Sequence, residues 1–346
     1  MLSLNSMGGI MAIRVGINGF GRIGRLVFRI GRKNPDFDFV AVNDITDAER
    51  LAYLLKYDST HGVFEENIKI DGDDLVVTGD RFKVLSFKDP KDIPWKELGV
   101  DIVVESVGIF RSREKAALHL AAGAKKVILT APGKGEPPDF TCVLGINEKD
   151  YDAANHHVIS NASCTTNCFA PMVKILNDNF GLEKGFMTTV HAYTNDQRLI
   201  DTPHKAMRRG RAAAHSIIPT TTGAAKATAL VIPELAGKID AISMRVPVID
   251  GSITDFVCKV EKNTTVAEIN KAFKDASEGV FKGLIEYSEA PLVSVDIIGN
   301  PHSLIFDSLE TKMIDGDFIK VIGWYDNEWG YATRVVDLIK YIGEKL

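Results

Sequence analysis

Long apolar runs are missing from this chain. No stretch approaches the roughly 18 consecutive apolar residues that a membrane-crossing helix requires, which excludes that class of protein. The first ten residues, MLSLNSMGGI, lack the basic start and long apolar centre of a secretion signal. They are expected to be a flexible extension, with Met7 or Met11 equally suited as the start. Cysteine is scarce: Cys142, Cys164, Cys168 and Cys258 show no disulfide-framework spacing, and a chain this long needs no such staples. Cys164 and Cys168 have no matching second ligand pair, so no metal is expected. Reduced thiols point to the cytoplasm. Basic excess is also absent. Lys and Arg number 41 against 46 Asp and Glu, a net charge of −5, so nothing electrostatic indicates nucleic-acid binding.

What is present fits two folded domains. The chain has 346 residues, 45% hydrophobic and 25% charged. Arg14 to Asn18 (RVGIN) reads as a short buried strand and is followed by Gly19, Phe20, Gly21, Arg22, Ile23 and Gly24, then a helical pattern through Ile30. A G-x-G-x-x-G between strand and helix has the context of a dinucleotide site. The first glycine allows the turn, the second admits a pyrophosphate, and the third lets helix and strand pack closely. Phe39 to Val42 then ends at Asp44, about 20 residues on, where an acid bonds the ribose of NAD and repels a 2′-phosphate. The plainer reading is a glycine-rich turn in an α/β core with no ligand.

Strand and helix patterns alternate through the first half: helix Asp47 to Lys56, short strands at Ile68 to Ile70, Leu75 to Val77, Lys83 to Ser86 and Val100 to Glu105, helix Ser112 to Ala122, strand Lys126 to Thr130. This predicts a parallel sheet with helices on both faces. Beyond Cys164, longer alternating strands (Phe186 to Ala192, Ile239 to Val246, Thr254 to Glu261, Ser303 to Asp307, Phe318 to Trp324) predict a mostly antiparallel sheet. Val266 to Ser277 and Arg334 to Tyr341 read as amphipathic helices. The fold class is therefore α/β, a Rossmann dinucleotide-binding domain plus an α+β catalytic domain.

Ser163 to Cys168 (SCTTNC) sits between the strand ending at Asn161 and an apolar helix, Phe169 to Leu176. At that junction unpaired N–H groups and the helix dipole favour a thiolate on Cys164. His191 follows the apolar Phe186 to Val190, and a thiol with an imidazole is the unit of covalent cysteine catalysis. A buried structural thiol is the competing reading. His204 to Arg211 (HKAMRRGR) is the dense basic cluster, either a solvated loop, an anion site or a subunit contact. Thr220 to Gly223 opens an Ala-rich helix, as a phosphate seat or a simple cap. Arg245, on an otherwise apolar strand, needs a carboxylate or a bound phosphate.

With these residues read, the chain resembles the phosphorylating glyceraldehyde-3-phosphate dehydrogenases from about Ile13 to about Ile342. The motifs INGFGRIGR, NASCTTNC, HAYTNDQR, TTTGAAKA, MRVPV and WYDNEWGY carry the resemblance. It implies oxidation of glyceraldehyde 3-phosphate to 1,3-bisphosphoglycerate with NAD and inorganic phosphate, in a cytoplasmic homotetramer. It implies Cys164 as nucleophile and His191 as base. Thr194, Asp196 and Arg245 resemble the seat of the substrate's phosphate; Ser163, Thr165, Thr222, Gly223 and Arg209 resemble that of the attacking phosphate. For the cofactor it implies Gly19, Gly21, Arg22, Ile23, Gly24, Asp44, Arg81, Thr130, Asn327 and Tyr331. Cys168 matches a second family cysteine, read as packing or as a disulfide partner of Cys164 under oxidation. Domain boundaries follow as 1–161 with 328–346 for NAD, and 162–327 for catalysis. Erythrose-4-phosphate dehydrogenase and a non-catalytic nucleotide- or RNA-binding protein are the rival readings. Two departures stand out: Thr202-Pro203 replaces a common Leu-Pro pair tied to NAD or NADP choice, and Pro247 to Ser252 (PVIDGS) replaces the common PTPNVS, a change expected to touch only loop shape.

Overall fold

Strands that are apolar from end to end must be covered on both faces. Ile102–Glu105 and Lys126–Leu129 are buried at every residue. In the computed structural model, which describes residues 12–346, alternate residues of these strands feed different cores. Ile102, Val104 and Ile128 join one hydrophobic cluster, while Val103 packs with Trp95 and Val127 with Ala116 on the other side. The expected extension at residues 1–10 lies outside the described residues.

Nine strands form the first sheet, in the order Phe140–Thr141, Val158–Ser160, Lys126–Leu129, Ile102–Glu105, Ile13–Asn18, Phe37–Asn43, Asp80–Leu85, Asp74–Val77, Ile68–Asp71. The parallel sheet is as expected up to Asp80–Leu85, but the last three strands pair antiparallel. Their links are two-residue turns at 72–73 and 78–79, with positive φ at Gly72, Thr78 and Gly79. So short a link makes a hairpin; a parallel crossover needs about a dozen residues.

The second sheet runs Ile218–Thr221, Ile239–Val246, Leu182–Ala192, Ser252–Val260, Phe318–Tyr325, Leu304–Ile314, Ile285–Ser288. It is mostly antiparallel, with parallel pairing of Leu182–Ala192 to Ile239–Val246 and of Ile285–Ser288 to Leu304–Ile314. Ser252–Val260 alternates fully and partly buried residues, as a strand with one covered face should. Helix Cys164–Phe180 supplies much of the cover: Phe169 meets Phe256 edge to face at 4.9 Å.

Two helices are longer than their apolar patterns suggested. Cys164–Phe180 begins five residues before Phe169, because polar Thr165, Thr166 and Asn167 lie inside its first turns. Trp329–Gly343 begins five residues before Arg334 and lays Val335, Leu338, Ile339 and Ile342 into the first core, beside Leu26 and Phe28. The chain thus leaves the first core near Asn161 and returns to it at its end.

Helix Val266–Glu278 is held to the second sheet by Phe273, fully buried and stacked on Phe306 at 3.8 Å. Phe273→Ala should lower unfolding free energy by about 3–5 kcal/mol, the usual cost of such a cavity. Urea unfolding of the two proteins measures it.

Candidate functional site

Ile13–Asn18 has Phe37–Asn43 on one side and Ile102–Glu105 on the other, so strand order reverses at its carboxyl end. Ligands of open parallel sheets bind at such a point. A cleft of about 1040 Å3 opens there, lined by Gly19, Gly21, Arg22, Ile23 and Asp44 among others. The three glycines differ as their spacing predicts. Gly19 has φ +91°, and a Cβ there would lie 2.7 Å from the Val107 nitrogen. A Cβ on Gly24 would sit 2.2 Å from the Gly19 carbonyl oxygen. A Cβ on Gly21 would meet nothing within 4 Å. Gly21 therefore faces open cleft, at the start of a helix with no side-chain cap, where first-turn N–H groups suit a pyrophosphate. Asp44 Oδ2 accepts from the Phe20 N–H at 2.8 Å, which aims the carboxylate along the loop.

Not every expected cofactor residue reaches this cleft. Arg81 lies on the antiparallel edge, ion-paired with Asp71 and, at 3.2 Å, with Asp74. The tight turn that reverses the edge strands carries it away; on this side of the cleft Lys88 is a basic lining residue, beside Phe87. Thr130 bonds its hydroxyl to the Glu105 carbonyl at 3.2 Å and does not line the cleft. The Arg22 guanidinium turns to Asp58 (2.8 Å) and Glu328 (2.9 Å), leaving its backbone to the cleft.

Cys164 is the first residue of its helix, capped by Ser163, whose Oγ accepts from the Thr166 N–H at 3.0 Å. The turn into it is pinned hard. Ala162 is fully buried at φ +55°, a left-handed conformation unfavourable for a residue with a Cβ. Tyr331 donates to the Ala162 carbonyl at 3.0 Å, and Asn167 donates to the carbonyls of Asn161 (2.9 Å) and Ser163 (3.0 Å).

His191 Nε2 lies 3.5 Å from Cys164 Sγ. Its Nδ1 is 2.7 Å from the Ala192 carbonyl and 3.0 Å from Arg245 Nη1; the shorter contact, to a group that only accepts, puts the proton on Nδ1 and leaves the Nε2 lone pair to sulfur. Arg245 pairs with His191 in the parallel register and donates to the same carbonyl at 3.1 Å. Burial, then the Arg245 charge, push the His191 imidazole down to about 3. Burial pushes the Cys164 thiol up, while Arg245 pulls it down. The resting pair is thus a neutral imidazole beside a thiol, rather than the preformed thiolate that the helix terminus alone suggests. A neutral imidazole is the form that can accept a proton. Tyr325, in the motif WYDNEWGY, closes the floor of the site. It is buried, edge-on to His191 at 5.9 Å, and bonded to the hydroxyls of Thr165 (2.9 Å) and Thr189 (2.8 Å).

Arg245 resolves the choice left by its sequence. Among the described residues, no carboxylate lies within 4.0 Å of its guanidinium, and its buried Nε has no partner. It reaches Thr194 Oγ1 at 3.4 Å and shares the cleft with Thr194, Asp196 and Arg209. Asp196, expected beside a phosphate, is ion-paired with Arg209, and a carboxylate repels phosphate. Its place is to hold the guanidinium, which also donates to Thr220 Oγ1 (2.9 Å) and the Thr221 carbonyl (3.2 Å). Arg209 thereby stands next to Thr222 and Gly223 at the start of helix Ala224–Val231. The Ser163 and Thr165 hydroxyls serve the helix cap and Tyr325 instead of opening to the cleft. Asn327 Oδ1 accepts from Ser252 Oγ at 2.5 Å, and Ser252 in turn accepts from the Ala192 N–H at 3.1 Å. All four cysteines are free; Cys168 is buried against Gly323.

Residues 13–113 match the family model described as the NAD binding domain of glyceraldehyde 3-phosphate dehydrogenase, and residues 163–327 match its C-terminal domain. The chain is 58% identical over 335 residues to glyceraldehyde-3-phosphate dehydrogenase of Geobacillus stearothermophilus, covering 97% of this chain and 99% of that one. It is 56% identical over 335 residues to glyceraldehyde-3-phosphate dehydrogenase 1 of Bacillus subtilis, with the same coverage. A Streptomyces avermitilis enzyme, glyceraldehyde-3-phosphate dehydrogenase 2, is 56% identical over 97% of this chain and all of its own length.

Two outcomes are expected from this geometry. Gly24→Ala should cost about 3 kcal/mol through its backbone clash, whereas Gly21→Ala should stay within about 0.5 kcal/mol yet weaken dinucleotide binding; urea unfolding and NAD titration separate them. Arg245→Leu removes the cation that opposes burial of the thiol. Alkylation of Cys164 by iodoacetamide near neutral pH should therefore slow, as mass spectrometry of timed samples would record.

Proposed function

The chain belongs to the glyceraldehyde-3-phosphate dehydrogenase family, and we propose that Cys164, His191 and Arg245 are the centre of its activity. The enzyme oxidises glyceraldehyde 3-phosphate with NAD and inorganic phosphate to 1,3-bisphosphoglycerate, a step of glycolysis. The observation that carries the assignment of residues is the 3.5 Å contact of Cys164 Sγ with the lone pair of His191, beside a buried guanidinium without a carboxylate partner.

His191 Nε2 takes the thiol proton as Cys164 sulfur attacks the aldehyde carbon; the carbonyl electrons pass to oxygen, which receives that proton from His191, and a hemithioacetal forms with the imidazole neutral again. The Cys164 N–H, at the first helical position and without an intrahelical acceptor, faces the developing oxyanion. His191 then holds the proton of the hemithioacetal hydroxyl. When bound, NAD supplies the hydride acceptor that turns this carbon into a thioester. Phosphate attacks the thioester, the C–S bond breaks, and sulfur leaves as thiolate. Sulfur serves better than oxygen, because the thioester stays reactive enough for phosphate to capture.

Arg245 and Thr194 are the proposed seat for the substrate's phosphate. Arg209, held by Asp196, is the proposed seat for the attacking phosphate, with Thr222 and Gly223. The glycine loop, Asp44 and Asn327 are proposed to bind NAD, with Lys88 in place of Arg81. The separate cores support division into a cofactor part (1–161 with 328–346) and a catalytic part (162–327). A cytoplasmic homotetramer is proposed as well. It is supported by large apolar side chains left exposed on the second sheet and the following loop, among them Phe186 (70%), Leu199 (78%) and Met207 (89%).

NADH formation with and without phosphate tests the reading. Turnover should require phosphate and fall at least about a thousandfold in Cys164→Ser; His191→Asn should lower kcat by about 10²–10⁴. Turnover indifferent to phosphate would instead favour the hydrolytic erythrose-4-phosphate reaction.

A further inference from the structure

The departure at Pro247 to Ser252 does more than reshape a loop. It carries Asp250, which is fully buried between the two halves of the molecule. Its Oδ1 accepts from the Gly251 N–H at 2.8 Å, but Oδ2 has no donor. Gly251 is forced by the turn: φ is +83°, and a Cβ would lie 2.2 Å from the Ser294 carbonyl oxygen.

Charged and titratable groups from two other segments face this carboxyl. Asp326 and Glu328 come from the segment before the last helix, and His61 from the turn after Tyr57–Asp58; a carboxylate oxygen of Asp250, one of Asp326 and a ring nitrogen of His61 all lie within 4.8 Å of one another. Arg22 and Asp58 stand behind Glu328 and His61. His61 Nε2 is 3.5 Å from Asp250 Oδ2 and nearer, at 3.3 Å, to Glu328 Oε2. Arg22 is spent on Asp58 and Glu328. Asp326 is already tied to the N–H groups of Gly299 (2.7 Å), Glu328 (2.8 Å) and Trp329 (2.6 Å), which favour its ionised form. Among the described residues no Lys or Arg pairs with Asp250, His61 stands nearer to Glu328, and a second bare carboxylate beside Asp326 is unfavourable in a buried site. The oxygen without a donor is satisfied if it bears its own proton.

We propose that Asp250 is a neutral carboxylic acid that donates its proton to Asp326, and that this acid pair is a proton-dependent clasp between the 247–251 loop and the segment that leads into the last helix. Burial, then Asp326, then Glu328, push Asp250 up to about 9, in keeping with the geometry. The clasp adjoins the proposed site at both ends. Asp326 precedes Asn327, and Asp250 is two residues from Ser252, which joins Asn327 to the strand of His191. A negative Asp250 would also push the Cys164 thiol further up. Ionisation thus separates two elements that together hold the nicotinamide end of the cleft.

The test compares wild type with Asp250→Asn, which keeps the shape and cannot ionise. Infrared spectra near neutral pH should show a protonated carboxyl band that the variant loses. Between the ordinary carboxylate range near pH 4 and about pH 9, the folded protein holds one proton more than the unfolded chain, so its stability falls with rising pH. The variant should therefore melt higher, by a margin that widens across that window. NAD affinity of wild type should weaken at least about fivefold between about pH 7.5 and about pH 10, with little change in the variant. Absence of the band in wild type overturns the proposal without any variant; so does a band kept in Asp250→Asn, or identical pH profiles. A divalent cation bound one to one, whose removal by EDTA destabilises wild type alone, would also overturn it. Only the NAD measurement rests on the proposed dehydrogenase site. A protein that binds no NAD at any pH would count against that site, leaving the infrared and melting results to decide the clasp.

Discussion

Three residues, Asn161 to Ser163, carry the chain from a strand of one sheet directly into the first helix of the other core. No glycine eases the passage; Ala162 takes a left-handed conformation at a cost of order 1 kcal/mol. Hydrogen bonds from Tyr331, on the last helix, and Asn167, on the new one, hold it there. The position of Cys164 depends on this turn, and so does its reach to His191. A more relaxed loop would leave the sulfur free to wander by more than the hydrogen-bond distance on which proton transfer depends. The strain is local, while what offsets it comes from both cores.

The chemistry of the site is a contest between burial and one cation. Burial disfavours charge on both sulfur and imidazole, and Arg245 favours the thiolate while opposing the imidazolium. The guanidinium stays exposed to the cleft's contents because no carboxylate is spent on it, whereas Arg209 is anchored by Asp196. Two arginines of similar character therefore do different work. One is a buried charge with no carboxylate partner among the described residues; the other is held in position at the start of a helix.

Much of this was legible from local pattern. The glycine spacing, the acid after the second strand, and the cysteine between strand and helix all act within a few residues of themselves, so periodicity and turn chemistry reveal them. The antiparallel edge was misread because Leu75 to Val77 and Lys83 to Ser86 carry the same apolar signal in either direction; only the two-residue links decide. The placement of Arg81 on that edge, ion-paired and away from the cleft, was hidden for the same reason. The early start of the cysteine helix was hidden by Thr165, Thr166 and Asn167, polar residues that bond inward instead of facing water. Tyr325, Lys88 and Asp250 were legible only in three dimensions, since each owes its role to partners far away in sequence. PVIDGS shows this most plainly: as a string it is a turn, and in space it is a buried acid.

The last helix has a consequence for how the molecule is made. Val335, Leu338, Ile339 and Ile342 complete the first core, whose opening strand is Ile13–Asn18. A ribosome delivers those two pieces far apart in time. The second core, from Val143 to Tyr325, is available as one continuous stretch and can close first. The cofactor half must wait, its Leu26 and Phe28 face uncovered until the final turns emerge. The nascent chain is therefore born with its older half unfinished, and the core behind the glycine loop closes only after Ile342 has emerged.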